Sequence, residues 1–375
     1  MTASMTKLRA WWWHRQGLDG SLAGMKAADV LAQTGWARSI GGAAPYLTLF
    51  ARAGLRRPEV DKALEKTEIH ELPGARGCTW VVGKSDFALA LAAGRPFADD
   101  ELKVARRLGV TDKEIDQLCA AVKKALVKEA LDPDALKKKL GDAVRSLGAE
   151  GQKKGLTTTL PVALGLLQSA GEIRRMPVNG RLDGQRYKYA AWKCEPKGSF
   201  TDLARRYFAW IGPATVAEFQ TFAGLGVKAT KDAIEPLGLI EVEPGMFLLP
   251  EDRAAWDKFQ PPKKPHYTLV SSLDGITHLR DDWKSLTEAA DISKNVPGHA
   301  ILDRGRLVGR WEFDPETATV AWLFFVPRDK AMTKAVAETE AYVREDLGDV
   351  RSFSLDSPKS RAPRIAELRK LAANA

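Results

Sequence analysis

Three residues in the first quarter of the chain carry side chains suited to acid–base chemistry. Ser39 closes the stretch GWARS, and His70 and Glu71 stand side by side in EIHELPGARGC. A histidine with a neighbouring carboxylate can orient a water as a general base. Adjacent residues of a strand point to opposite faces, however, so one member of the His70–Glu71 pair should turn away from the other. The plain alternative is a hydrogen-bonded histidine capping a hairpin beside a surface glutamate. Cys78, close by, reads as a small buried hydrophobe rather than a nucleophile.

A larger set of residues offers only positive charge. GEIRRMPVNGRLDGQRYKYAAW (171–192) reads as two strands around a Gly- and Asn-containing turn, and it crowds together Arg174, Arg175, Arg181, Arg186 and Lys188. Guanidinium groups on such a flap suit phosphate oxygens. Arg38 and Arg76 flank the acid–base residues, Lys153 and Lys154 lie upstream of the flap, and Arg304, Arg306 and Arg310 fall in ILDRGRLVGRWEF. Against this stands the ordinary reading of each as solvated surface charge, and of Lys137–Lys139 as the exposed face of a helix. Lys and Arg total 57 against 48 Asp and Glu, a net charge of +9. An excess of this size favours a polyanionic partner, though weakly when taken alone.

Other chemistries find no support. The five histidines never fall at metal-ligand spacing, and the three cysteines are far apart with no CxxC. The sequence therefore implies no metal and no disulfide framework. It also lacks a Gly-rich phosphate loop and a GxSxG elbow, and no cofactor is implied. No apolar run is long enough to span a membrane or to serve as a signal peptide, so the chain reads as cytoplasmic.

The elements that must hold these residues repeat along the chain. TTTLPVALGLLQS (157–169) reads as a helix with Pro161 in its first turn, directly ahead of the arginine-rich hairpin. Upstream, DPDALKKKLGDAVRSLG has Asp132 as a cap and Leu136, Leu140, Val144 and Leu147 along one helical face. The order recurs. Helices over 199–210, 213–223 and 227–236 precede the hairpin GLIEVEPGMFLLPED. Helices over 26–34, 43–53 and 57–68 precede IHELPGARGCTWVV. Helices followed by a two-stranded flap form a winged helix, which places one helix in a DNA groove and the flap against phosphates. Trp11, Trp12 and Trp13 point about 100° apart on a helix, so one or two of them should enter the core.

The resulting expectation is an α+β chain of three tandem winged-helix units and a β-rich C-terminal domain. The units span 1–95, 96–195 (with a helical connector) and 196–262, and the last domain covers 263–375 with a helix at 329–347 and a basic tail. The expected partner is double-stranded DNA, damaged or intact, bound by a monomer.

Particular segments carry a resemblance. LPVALGLLQSAGEIRRMPVNGRLDGQRYKYAAW resembles the central winged helix of the AlkZ/YcaQ-like family of DNA glycosylases. RAWWWHRQGLDG, PYLTLFARAG, RGCTWVV, ILDRGRLVGRWEF and LVSSLDGITHLRDD (with Asp274 and Arg280) are similar to its other elements, in the same order. The resemblance implies winged helices curved round duplex DNA and excision of alkylated purines. It also implies a Gln-x-Gln or Gln-x-Asp motif just before the helix of PYLTLFARAG. There this chain has Ala37 and Ser39, and the alternative register gives Gln33-Thr34-Gly35.

Ala37 cannot stabilise a developing sugar cation, Ser39 could only hold the water, and Arg38 suits a phosphate better. Three functional readings follow. The first is a duplex-DNA-binding relative of the glycosylases. The others are a glycosylase using Ser39, His70 and Glu71, and a protein-binding scaffold.

Overall fold

The computed structural model describes residues 3–294 and 296–373. Its sheets are small and antiparallel. The first joins β1 (Ala37–Arg38), β2 (Ile69–Pro73) and β3 (Thr79–Gly83) in the order β1-β3-β2. The pairs β4 (Ile173–Pro177) with β5 (Tyr187–Ala191), and β6 (Ile240–Glu243) with β7 (Met246–Leu248), form separate two-stranded sheets. The last sheet holds β8 (Tyr267–Val270), β9 (His299–Asp303), β10 (Arg306–Asp314) and β11 (Thr319–Phe324) in the order β11-β10-β9-β8.

Helices precede each of the three short hairpins, as the sequence order requires. Thr111, Ser199 and Thr215 each cap a helix by accepting the backbone N–H three residues on, while the side chain at that third position returns the bond. Asp132 caps its helix in the same way through Ala135 N–H at 2.8 Å. That helix ends at Leu140, short of the expected stripe to Leu147, because Gly141 turns the chain at φ +51°. Val144 and Leu147 are still buried, but from the irregular segment that follows.

One core ties distant parts together. It runs from Leu8 and the three tryptophans through Trp80 and Phe87 to Tyr207, Phe208, Val270 and Leu368. Trp11, Trp12 and Trp13 are all buried, against the expectation that one or two would be. The indole N–H groups of Trp11 and Trp12 donate to the carbonyls of Gly212 and Pro213, so two faces of the first helix are used, not one. The region 102–173 packs around clusters of its own.

The basic tail is also more ordered than its pattern suggests. Pro358–Ala373 is a helix lying on β10 and β11. Arg361 is fully buried in a two-oxygen contact with Asp349 (2.7 and 2.8 Å), and Arg364 and Arg369 reach Glu312 and Asp314 at 2.7 Å each. Among the described residues no helix is long and apolar enough to cross a membrane.

Candidate functional site

Strand order decides which acid–base residues meet. Ala37 and Glu71 both pair with Val81, from opposite sides of β3, so all three share a sheet face. Ser39 lies two residues beyond Ala37 and donates its N–H to Thr79 O at 3.1 Å, which carries the same alternation onward. Its hydroxyl donates to Glu71 Oε1 at 2.5 Å, and both residues are buried. Glu71 Oε2 accepts no hydrogen bond.

The β4–β5 hairpin closes over this pair. Arg175 stands 3.5 Å from Glu71 Oε1 and lies over the Tyr187 ring, 4.3 Å from its centre. Burial, and then the charge of Glu71, push the Tyr187 phenol up to about 12. A buried carboxylate with a hydroxyl beside it and a cation facing it can counter a positive charge.

His70 is not part of that constellation. It faces the other side of the sheet between Phe87 and Trp192, with ring centres 6.3 and 5.6 Å away. Neither ring nitrogen has a partner. Burial foremost, and then Arg174 and Arg175, push its pKa down to about 3. The imidazole is thus neutral at any working pH and borders a cleft of about 680 Å³ between helix Arg57–Glu65 and the hairpin.

This has a measurable consequence for stability. In the unfolded chain the same histidine binds a proton near pH 6.5. Below that pH the unfolded state gains a proton that the folded state refuses, so the His70 contribution is complete above 6.5 and falls as pH drops toward 3. The loss is at most about 1.4 kcal/mol per pH unit. His70→Phe should therefore flatten the decline of chemical-denaturation stability between pH 6.5 and 4, and an unchanged decline would show that His70 does not titrate this way.

The cations divide sharply by their partners. Arg38 donates to Thr79 O at 2.6 Å, and Arg174 to Thr67 Oγ1 at 2.6 Å. Arg181 is held by both oxygens of Asp183 and by Leu347 O, and Arg304 by both oxygens of Asp303 and by two backbone carbonyls. Arg306 pairs with Asp291 at 2.9 Å. Arg310 is buried over Trp283, its pKa pushed down to about 10 by that burial. These donors are engaged within the protein itself, not left as solvated surface charge. By contrast Arg186, Lys188 and Lys154 are exposed, Arg76 is exposed but donates to Thr221 O at 3.3 Å, and Lys153 pairs with the equally exposed Glu150.

Sequence reading missed the most buried charged pair. Arg52 and Asp274 are both fully buried and joined through two hydrogen bonds of 2.7 and 2.8 Å. Gln16 completes the network: its Oε1 accepts from Arg52 at 2.7 Å, and its amide donates to Thr34 O and Trp210 O. Helix Ala44–Ala53, which packs against β1, is thereby fixed to the segment that follows β8. Arg52 and Asp274 lie in separate segments singled out by the resemblance, PYLTLFARAG and LVSSLDGITHLRDD, and that was the only available signal.

The model of the family described as DNA glycosylase AlkZ-like matches residues 21–353. This chain belongs to the AlkZ-like DNA glycosylase family. Among solved structures it is similar to the Streptomyces sahachiroi DNA glycosylase AlkZ, with a TM-score of 0.72 and 19% identity over 94% of this chain and 99% of that one. The two share a fold. No curated protein sequence matches the chain. Ala37 and Ser39 lie in the segment that leads into helix Ala44–Ala53 with its buried Arg52. Gln33 is elsewhere, exposed on the preceding helix with its amide on Met25 Sδ.

Proposed function

We propose that this AlkZ-like chain is a DNA-repair protein that binds double-stranded DNA through phosphates, with little base preference. The observation that carries the reading is the β4–β5 hairpin. Read as the wing of a winged helix, it projects Arg186 and Lys188 into solvent, while Arg175 faces Glu71, Arg174 is held by Thr67 and Arg181 by Asp183 and Leu347 O. The three helix-then-hairpin units are read as tandem winged helices, and 1–95, 96–195, 196–262 and 263–375 as their limits and that of the C-terminal domain.

The test separates free from anchored cations. Each phosphate contact contributes about −0.9 to the slope of log affinity against log salt. Replacing Arg186 and Lys188 together by alanine should flatten that slope by about 2 in a fluorescence-anisotropy titration with labelled duplex. Arg304→Ala, whose donors are spent within the protein, should leave the slope unchanged. The reverse pattern would remove the wing from the interface.

A second reading is favoured by Ser39–Glu71. Hydrolysis of an N-glycosidic bond builds positive charge on the sugar and needs a placed water. Glu71 supplies a carboxylate, and Ser39 fixes its orientation. In this reading Glu71 takes the part that the resemblance gives to the glutamine pair. Abasic sites in DNA carrying N-alkylpurines would support it, and intact DNA after single-turnover incubation with excess protein would dismiss it.

A further inference from the structure

Residues 351–357 pass from Val350 to the C-terminal helix and present apolar side chains to water. Leu355 is 82% exposed, more than any other large apolar side chain among the described residues, and Phe353 two positions earlier is 41% exposed. The turn that carries them is firmly built. The buried Asp356 carboxylate accepts Ser352 N–H at 2.9 Å and contacts Arg364 at 3.4 Å. Backbone bonds from Asp356 N–H to Phe353 O and from Ser357 N–H to Leu355 O close it at 3.1 and 3.0 Å.

Its position is equally specific. Ser354 N–H donates to Ile40 O at 3.1 Å, and Ala43 N–H to Arg351 O at 2.9 Å, so the turn lies along the segment that leaves Ser39. Gly42 permits this approach, since a Cβ there would meet Ser352 O at 2.4 Å. On the other side Gln185 of the wing donates to Ser354 O at 2.8 Å, beside the exposed Arg186. Lys359, also exposed, opens the following helix.

We infer that Phe353 and Leu355 form a wedge that enters the base stack of bound duplex DNA next to the Ser39–Glu71 pair. The inference rests on the DNA-binding reading above and adds the way in which the duplex is opened. A duplex matches both halves of this surface, with phosphates for the cations and flat apolar base faces for the two side chains. Apolar residues inserted between base steps unstack and kink DNA, and a wedge works only if its backbone is rigid. The Asp356 contacts supply that rigidity. Two side chains on a tight turn offer too little apolar area to anchor on a lipid surface.

The probe is a duplex containing 2-aminopurine, whose fluorescence rises when it is unstacked. Saturating native protein should raise the signal several-fold. The double variant Phe353→Ser, Leu355→Ser should abolish the rise yet keep the same salt slope of binding, because the phosphate contacts remain. A full rise with the variant, or native binding without a rise, would overturn the wedge alone. Absence of any duplex binding would overturn it together with the reading beneath it. Saturable binding to anionic phospholipid vesicles, lost in the variant while the 2-aminopurine signal persists, would overturn it in favour of a lipid surface.

Discussion

Asp274→Ala should destabilise the fold by about 3–5 kcal/mol, the range for leaving one partner of a buried ion pair unmatched. Arg52 has no solvent to turn to, since both side chains are fully buried, and its Nε already lacks a partner. The two oxygens of Asp274 hold both terminal nitrogens of the guanidinium, and Asp274 also caps its own turn through Ile276 N–H at 3.0 Å. Replacement by alanine therefore removes an ion pair and a cap at once. Arg52→Met fills the site with an apolar side chain but strands the buried Asp274 carboxylate in turn, so it should cost a comparable amount. Equilibrium denaturation of the two variants measures both effects. A loss below about 1 kcal/mol for Asp274→Ala would mean that the network is hydrated and the pair behaves like a surface bridge.

The second large effect belongs to Glu71. Under the hydrolytic reading, Glu71→Gln should lower base release by about 100-fold or more, the scale expected for a general base. The amide matches the carboxylate in shape and can still accept from Ser39, so the fold should persist. Ser39→Ala should lose less, because it removes only the group that orients the carboxylate. His70→Ala should leave base release unaffected, as the imidazole lies on the opposite sheet face. An equal loss in the glutamine and histidine variants would place the chemistry elsewhere.

How much of this could be read from the sequence depended on what fixed each feature. The hairpins were legible because turn residues and alternation are local, and the helix starts because a capping residue and its partner lie three apart. β1 was not, since two residues carry no period and its pairing depends on a distant strand. The Ser39–Glu71 bond was hidden for the same reason: both residues were named, but only the order β1-β3-β2 brings them onto one face. The C-terminal helix escaped because its apolar face is short, with Ile365 and Leu368 in the core, and charged contacts complete its attachment: Arg361 to Asp349, and Arg364 and Arg369 to Glu312 and Asp314, far away in sequence. The same limit applied to the candidate DNA-binding arginines. Composition counts positive charges, whereas only folding decides that Arg181 and Arg304 are consumed by neighbouring aspartates while Arg186 remains exposed.

The most direct measurement of the central proposal is the affinity of the native chain for a labelled random-sequence duplex across a range of salt. With four exposed cations (Arg76, Lys154, Arg186 and Lys188) as the contacts, log affinity should fall against log salt with a slope of about −3 to −4. Duplexes of unrelated sequence should give the same line. A slope near zero, or no binding at low salt, would contradict the assignment of this AlkZ-like chain as a duplex-DNA-binding protein.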